Sequence, residues 1–436
     1  MYKYSLLLLL AVIFAAVSFG QPAKQQKVFT QDIDNFWIAF DSIQTTKDSL
    51  QQLRMIQQLY IDKGSEGLRA FMKARDYTAA LWIRLINRYP KFWASVRPNT
   101  LMVKQQAPSI EQSIIKFKTL YPSLRDAKMY FTVGGLRSGG TTWGSLVLIG
   151  TEIAAGDATT DVSEFPNKWL AGVFKEQSYK NIVRLNIHEY VHTQQKEGSK
   201  DLLSQAIKEG SCDYITELVM NVPLQTSYAK YGRLHEKELK ESFKKEMFTT
   251  AYNKWLYNGS NAETMADLGY FMGYQICKSY YANAVNKEKA IREIIELDYS
   301  NSAAVEDFLK RSKYYMEAID KEALLTSFRD KQPAVLNILP FSNGDSLVDA
   351  ATKEMIFVFS KPMNTNGYSI DFSEKGKDLY PITNVVGYSG DKTSFTVKVD
   401  LKPNHAYEFI IADRSFHSAE GYPLLKDYTI QFRTKP

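Results

Sequence analysis

Two of the five histidines in this chain lie four residues apart, in the stretch NIHEYVHTQQ at residues 186–195. Residues four apart on an α-helix share one face, so His188 and His192 can direct both imidazoles at a single metal ion. Glu189 lies about 100° around the helix from His188, within reach of a water molecule on that ion. This His-Glu-x-x-His pattern predicts a zinc site with Glu189 as the general base. The alternative is a pair of core histidines that are satisfied by hydrogen bonds.

A hydrolytic zinc site usually has three protein ligands and leaves one position for water. Position 198 is glycine, so the third histidine that metzincins carry six residues after the second is absent. Further along, the stretch AIKEGSCDYITEL at residues 206–218 supplies Glu209. The sequence therefore predicts one zinc ion per chain, held by His188, His192 and Glu209. In the alternative, Glu209 belongs to an ordinary solvated face of a helix.

These ligands require two helices in succession. The glycine in KEGSK, residues 196–200, predicts the end of the first helix near that stretch, and the second helix is predicted to begin near Asp201. On the second helix, Asp213 lies one turn after Glu209, where it can accept the free N–H of a ligating histidine and fix its tautomer. The later stretch GYFMGYQICKSYY predicts a helix that packs across the cleft, and Tyr274, beside Gly273, is its predicted oxyanion donor.

The rest of the chain divides by pattern into helical and β-rich regions. Residues 21–122 are predicted as an N-terminal helical region, because apolar residues recur at helical spacing. Residues 123–330 are predicted as the catalytic core, in which two strands, KMYFTVGG and SLVLIG, flank a glycine-rich loop before helices resume. Residues 333–436 carry short β-rich runs between turn residues, which predicts a β-sandwich. The predicted fold class is α+β, mainly helical with a small sheet, followed by an all-β sandwich.

Composition excludes several classes of function. Apolar residues make up 44% of the chain, which argues against global disorder. A net charge of +6, spread along the chain, is too mild to indicate a nucleic-acid partner. The glycine-rich loop lacks the Lys-Ser/Thr ending of a phosphate-binding P-loop, so nucleotide binding is not expected. Cys212 and Cys277 are predicted as buried thiols in helices, with a disulfide between them as the alternative.

The first residues, MYKYSLLLLLAVIFAAVSFG, predict a secretory signal peptide at residues 1–20. The alternative is an anchor that is not cleaved. No later apolar run reaches membrane-spanning length, so no membrane span is expected after cleavage. We therefore expect an exported protein that is periplasmic, cell-surface or secreted.

The motifs HEYVH and EGSCDY resemble the gluzincin group of zinc metallopeptidases, whose second helix carries a glutamate ligand. Together with DIDNFW, YIDKGSEGLRAFM and LGYFMGYQI, they resemble, over roughly residues 30–320, a family of uncharacterised bacterial proteins predicted to be zinc-dependent proteases. The resemblance implies a two-lobed zincin-like catalytic unit. The C-terminal stretches FSKPMN, LKPNHAYEFII and FRTKP are similar to bacterial Ig-like domains found on exported surface proteins.

Two functions are consistent with these observations. The first is a zinc metallopeptidase, expected to be an endopeptidase, that hydrolyses a peptide or protein substrate with Glu189 as the general base. Its substrate strand is predicted to add to the edge of the small sheet around residues 144–150. The second is a non-catalytic binding or scaffold protein of the cell envelope, whose Ig-like domain docks on a cell-surface partner. In either case the Ig-like domain is expected to carry no catalytic residue.

Overall fold

Helices form most of the first three quarters of the chain, and strands form the last quarter. The structure is a computed structural model that describes residues 26–166, 169–259 and 265–436, so the predicted signal peptide at residues 1–20 lies outside the described residues. No helix in the described part of the chain combines the length and the apolar composition needed to cross a membrane. The described helices are α1 Gln31–Ile43, α2 Ser49–Ile56, α3 Glu66–Arg75, α4 Ala79–Arg88, α5 Pro90–Leu120, α6 Thr151–Ala154, α7 Trp169–Glu176, α8 Ile182–His192, α9 Leu202–Met220, α10 Ser227–Leu234, α11 Glu236–Glu246, α12 Leu268–Asn283, α13 Lys287–Ile295, α14 Ser302–Ser312 and α15 Lys321–Arg329.

The described strands form three sheets. They are β1 Val28–Phe29, β2 Lys128–Thr132, β3 Gly140–Trp143, β4 Leu146–Gly150, β5 Val335–Leu339, β6 Glu354–Phe359, β7 Ile370–Phe372, β8 Ile382–Tyr388, β9 Ser394–Val399, β10 Ala406–Ile411 and β11 Tyr428–Arg433. The sheet orders are β1-β2-β4-β3, β5-β6-β9-β8 and β11-β10-β7.

The chain divides into two compact units, and the division differs from the predicted boundary between residues 122 and 123. The first unit comprises Met1–Ile115, Arg125–Pro166 and Gln177–Asn186, and the second comprises Lys116–Leu124, Asn167–Glu176 and Ile187–Pro436. The small sheet therefore belongs with the N-terminal helices, and the helices after residue 187 belong with the C-terminal strands.

The first unit packs helices around aromatic side chains and a mixed sheet. Five aromatic residues of its helices are buried in its core, namely Phe36, Trp37, Trp82, Phe92 and Trp93. β2 and β4 pair in parallel, and almost every side chain on both strands is buried, as expected for interior strands.

The small sheet differs from the sequence prediction at its edge. Residues 140–143 of the predicted loop form β3, which pairs antiparallel with β4. β4 thus has a neighbour on each side, and the prediction that a peptide adds at residues 144–150 is wrong, because the backbone of β4 is already paired. The glycine-rich loop is anchored by the buried carboxylate of Glu152, which accepts hydrogen bonds from the Gly134 and Leu136 amides at 2.7 and 3.1 Å.

Two helices of the second unit approach each other unusually closely. A Cβ atom on Gly210 of α9 would lie 2.0 Å from the backbone nitrogen of Tyr274, and one on Gly273 of α12 would lie 1.7 Å from the carbonyl oxygen of Ala206. Only glycine fits at these positions, because the two backbones are in direct contact there. α9 begins as predicted, with Asp201 at its N-cap.

The C-terminal strands form the predicted sandwich of two antiparallel sheets, here of four and three strands. Its core is apolar and largely aromatic, with Phe357, Phe395, Phe409 and Phe432 buried between the sheets. The last helix before it ends at Arg329 and the first strand begins at Val335, on either side of the predicted start of the sandwich at residue 333.

Candidate metal centre

The histidine pair and the predicted third ligand meet at one point. The distances from Nε2 of His188 and of His192 to Oε2 of Glu209 are 3.5 and 3.2 Å. The two imidazole ring centres are 5.0 Å apart, and the side chains of all three residues are largely buried. The structure therefore brings together α8 and α9 so that two ring nitrogens face a single carboxylate oxygen.

The opposite nitrogen of His188 has a carboxylate partner. Nδ1 of His188 lies 2.9 Å from Oδ1 of Asp213, one turn after Glu209 on α9. The other oxygen of Asp213 accepts a hydrogen bond of 2.7 Å from the Tyr228 hydroxyl. Asp213 is thus held on both sides, and it orients the His188 ring so that Nε2 is directed at the centre.

The opposite nitrogen of His192 has an amide partner that the sequence prediction missed. Nδ1 of His192 lies 2.7 Å from Oε1 of Gln195. The Gln195 amide group donates to the Lys208 carbonyl oxygen at 2.8 Å and to the Ser211 hydroxyl at 2.7 Å. Gln195 reaches this position because α8 ends at His192, earlier than predicted, and the chain continues in tight turns such as Gln195 N–H to the His192 carbonyl. Gln195 follows His192 by three residues, and this spacing is the sequence feature that could have indicated the contact.

The charges around the two rings favour a cation. Burial opposes protonation of His188, but the charge of Asp213 and hydrogen bonds to Asp213 and Glu209 outweigh burial and raise the pKa of His188 well above its usual value. Burial also opposes protonation of His192, and the charge of Glu209 raises its pKa. Burial alone would raise the pKa of Glu209, whereas the two histidines hold it well below its usual range. At all three side chains, the charges and hydrogen bonds of the neighbouring side chains thus outweigh burial.

The donor set fits zinc. Two histidines and one carboxylate are a common ligand set of catalytic zinc, with a further position left for water. A ligating histidine must present an unprotonated nitrogen, and acceptors at both Nδ1 atoms place the proton there and leave Nε2 free. His188, His192 and Glu209 are therefore the residues that would hold the ion.

A second set of possible donors, His188, His192 and Cys212, also has ligand atoms within 4.8 Å of one another. The Cys212 sulfur lies 3.4 Å from Nδ1 of His192, on the side of the ring where Gln195 accepts. It is therefore behind the ring and not beside the Nε2 atoms that face Glu209. Cys212 and Cys277 are both free and buried, as predicted.

Glu189 is placed differently from the other acids. Its side chain is partly exposed, and it has no hydrogen bond or ion pair with any residue that the structure describes. It lies on α8 between the two histidines and is close enough for its charge to act on both. Glu189 is thus the carboxylate at this centre that remains available to a water molecule.

The predicted role of Tyr274 needs correction. The Tyr274 hydroxyl donates a 2.8 Å hydrogen bond to Oε2 of Glu217 and accepts one of 3.0 Å from the Lys278 ammonium group. Gly273 beside it allows contact with α9 and does not bring the ring into the centre. The sequence could not distinguish these roles, because the direction of a side chain on α12 depends on how that helix packs.

A different tyrosine lies at the centre. The Tyr257 hydroxyl donates to Oε1 of Glu209 at 2.8 Å, and the Gln205 amide group donates to the same oxygen at 3.0 Å. Tyr257 is 62% exposed, so its hydroxyl is at the rim of the centre and can be reached from outside. The ring of Tyr270 stacks 6.2 Å from the ring of His188. Among the described tyrosines, Tyr257 therefore replaces Tyr274 as the candidate donor.

The comparisons with known proteins identify one part of the chain. No curated protein matches. CopC from Methylosinus trichosporium OB3b is 17% identical, with a TM-score of 0.19 over 24% of this chain and 95% of that chain. The S-layer protein rSbsC(31-844) is 12% identical, with a TM-score of 0.18, and the match covers 93% of this chain and 45% of that chain. Domains 1-6 of the surface layer protein SbsC are 14% identical, with a TM-score of 0.18, and the match covers 76% of this chain and 46% of that chain. This chain thus spans less than half of either S-layer chain, and scores this low carry no structural argument. Residues 329–434 match the bacterial Ig-like domain family, so the C-terminal sandwich is a bacterial Ig-like domain.

Proposed function

We propose that the chain is an exported zinc-dependent peptidase that hydrolyses peptide bonds. The observation that carries the proposal is the convergence of His188 and His192 on one oxygen of Glu209, with Glu189 beside them and unpaired among the residues that the structure describes. A purely structural zinc site is closed by four protein ligands and has no use for a general base. Three donors and a free carboxylate fit hydrolysis better.

The roles of the residues follow from their positions. Zinc held by the three ligands supplies a Lewis acid that lowers the pKa of a water molecule towards neutrality. Glu189 accepts the proton of the attacking water at its carboxylate and delivers it to the leaving amine. The Tyr257 hydroxyl, which donates to Oε1 of Glu209 without substrate, would turn its proton to the substrate oxygen on which negative charge develops, while the Gln205 amide still donates to Glu209. Asp213 and Gln195 keep the histidine rings in place while this happens.

A second candidate is a non-catalytic envelope protein that uses the Ig-like domain to bind a partner. It is favoured by the match of residues 329–434 to the bacterial Ig-like domain family. Glu189, which has no partner within the described part of the chain, supports the peptidase instead, because a carboxylate held partly exposed beside a cation site is useful chiefly for proton transfer. Zinc content alone does not separate the two candidates, whereas hydrolysis of peptides does.

Two glutamate variants test the proposal as a matched pair. Glu209→Gln should weaken zinc binding sharply, because an amide is a poor substitute for a charged ligand. Glu189→Gln should retain zinc and the fold while losing hydrolysis by about 10² to 10⁴-fold, the usual contribution of a general base. The measurements are zinc content and the cleavage rate of a substrate found in an unbiased peptide library. A zinc-loaded wild type that cleaves nothing in the library, or a Glu189→Gln variant as active as wild type, contradicts the proposal.

A further inference from the structure

A connecting segment, residues 246–257, links the start of α9 to the tyrosine at the centre. At its beginning, the carbonyl oxygens of Met247 and Thr249 accept 2.7 Å hydrogen bonds from the first two backbone amides of α9, those of Leu203 and Leu202. At its end it carries Tyr257, whose hydroxyl binds Glu209. The connecting segment therefore contacts both the start of α9, the helix that carries Glu209, and, through Tyr257, the Glu209 side chain itself.

The middle of the connecting segment is held by the Ig-like domain. The Lys254 ammonium group lies 4.4 Å from the centre of the Tyr422 ring, in a cation–π contact. The ring of Phe328, on α15, meets the same tyrosine edge-on at 5.3 Å, and the Lys331 ammonium group is 5.5 Å from it. Beside these contacts lies a cavity of about 470 Å³, lined by residues of both parts. The Tyr422 ring is thus a side chain on which Lys254, Lys331 and Phe328 converge.

The contact continues from Lys254 towards Tyr257. Lys254 forms a 3.2 Å ion pair with Glu246, and the second oxygen of Glu246 accepts a 2.8 Å hydrogen bond from the indole of Trp255. Glu246 and Trp255 are both buried, so these bonds are little weakened by water. Two residues on, Tyr257 has a φ of +58°, in the left-handed region that side chains other than glycine seldom adopt. Such a conformation persists only where the surroundings hold it.

We infer that Tyr422 of the Ig-like domain is a positioning residue for the metal centre. It holds Lys254, and through Glu246 and Trp255 it keeps the Tyr257 hydroxyl on Glu209. The Ig-like domain then contributes to the geometry of the ligand set, which goes beyond the docking on a cell-surface partner that the sequence analysis considered for it. The inference rests on the proposed function for its effect on hydrolysis, whereas its effects on zinc affinity and on the connecting segment do not depend on hydrolysis.

The test is a double-mutant cycle in the full chain, with zinc affinity as the quantity measured. Tyr257→Phe removes the bond to Glu209 and should lower zinc affinity by about 10-fold, the scale of partners behind metal ligands. Tyr422→Ala should lower it by about 2- to 30-fold, the range of coupling through packed networks. In the Tyr257→Phe background, Tyr422→Ala should change zinc affinity less than about 2-fold, because the group through which it acts is already lost.

Matched variants separate positioning from a general loss of fold. Tyr422→Phe retains the ring and should behave as wild type, and Tyr368→Ala removes a half-exposed aromatic residue from elsewhere on the same domain and should also be neutral. Lys254→Met breaks the same contact from the opposite side together with the ion pair to Glu246, and it tests the route from Tyr422 to Tyr257 if Tyr422→Ala does not fold. Hydrogen exchange in peptides that cover residues 246–257 should rise in Tyr422→Ala and Lys254→Met alone.

The outcomes distinguish this inference from the proposed function. Additive effects of Tyr422→Ala and Tyr257→Phe on zinc affinity overturn the inference, as does unchanged exchange of the connecting segment in both contact-breaking variants. A chain that binds zinc but hydrolyses no peptide overturns the proposed function only, because the cycle on zinc affinity and the exchange measurement still decide the role of Tyr422.

Discussion

Replacing Asp213 probes how far the group behind a ligating histidine sets zinc affinity. Asp213→Asn keeps the shape of the side chain and can still offer an oxygen to Nδ1 of His188, which lies 2.9 Å away, but it removes the negative charge. Asp213→Ala removes the acceptor altogether. Tyr228→Phe is the matched control, because it removes only the outer hydrogen bond and leaves the carboxylate on His188.

The expected magnitudes follow from what each variant leaves unpaired. Groups behind metal ligands contribute 10- to 100-fold in affinity, which equals about 1.4 to 2.8 kcal/mol. Asp213→Asn should lie near the lower value and Asp213→Ala near the upper one. Asp213→Ala also leaves the Tyr228 hydroxyl without its acceptor, and this costs about 1 to 3 kcal/mol of folding stability with or without zinc. Tyr228→Phe should cost about 1 kcal/mol of stability and change zinc affinity less than about 3-fold.

Two assays separate affinity from stability. Zinc affinity is measured by competition with a coloured chelator, and stability by denaturant unfolding with and without zinc. At fixed excess zinc, the stabilisation due to the ion should shrink in Asp213→Ala by about 1.4 to 2.8 kcal/mol, since it varies as the logarithm of the dissociation constant. Zinc affinity of Asp213→Ala within about 2-fold of wild type would refute the role assigned to the Asp213–His188 bond.

Three further predictions concern other residues. Gln195→Glu replaces the nitrogen that donates to the Lys208 carbonyl by an oxygen, so it should cost folding stability. In the folded chain its added charge should tighten zinc binding and lower hydrolysis at neutral pH, because a second carboxylate behind the histidines makes the ion a weaker acid; equal hydrolysis and affinity contradict this. Burial raises the pKa of Glu152 from 4.5 to about 7, so between these pH values the folded chain holds a proton that the unfolded chain has lost. The free energy of unfolding should therefore fall by about 3 kcal/mol as the pH rises from 4.5 to about 7. Glu152→Gln should remove that slope from unfolding measured between pH 4.5 and 8. Tyr274→Phe should keep zinc affinity and hydrolysis within about 2-fold of wild type while losing about 1 kcal/mol of stability. A large loss of hydrolysis would instead support Tyr274 as the oxyanion donor.

The ligand geometry could be predicted from the sequence because helical spacing fixes it. His188 and His192 share a helix, and so do Glu209 and Asp213, so each pair is placed by local geometry alone. Only the approach of α8 to α9 had to come from the fold. That approach is consistent with the sequence, because the chain between the two helices is short and Asp201 is a clear helix start.

Features that depend on the packing of distant segments could not be predicted in the same way. Tyr274 and Tyr257 are equally plausible donors by residue type, and only the packing of α12 and the connecting segment separates them. β3 has the sequence GTTW, whose threonines and tryptophan favour a strand, but it is short and follows a glycine, so it was interpreted as part of the loop, and its pairing with β4 makes it a strand. The end of α8 at His192 was also missed, and Gln195 was missed with it.

The two histidines are held by different chemistry, and the difference has a consequence for the charge of the centre. Asp213 adds a negative charge behind His188, whereas Gln195 fixes the tautomer of His192 without adding one. With Glu209 and Glu189 nearby, a further carboxylate would hold a divalent cation more tightly but would oppose the loss of a proton from water.

An amide can serve as the partner of His192 only if its oxygen, and not its nitrogen, faces the ring. The Lys208 carbonyl oxygen ensures this, because it accepts from the Gln195 amide nitrogen and has no proton to donate in return. The Ser211 hydroxyl accepts from the same nitrogen and donates its own proton to the Lys208 carbonyl. If the Gln195 amide were flipped, its oxygen would face the Lys208 carbonyl oxygen, and the two acceptors would have no proton between them. One backbone carbonyl of α9 thus fixes an orientation on which the tautomer of His192 depends, and with it the availability of Nε2 to a metal.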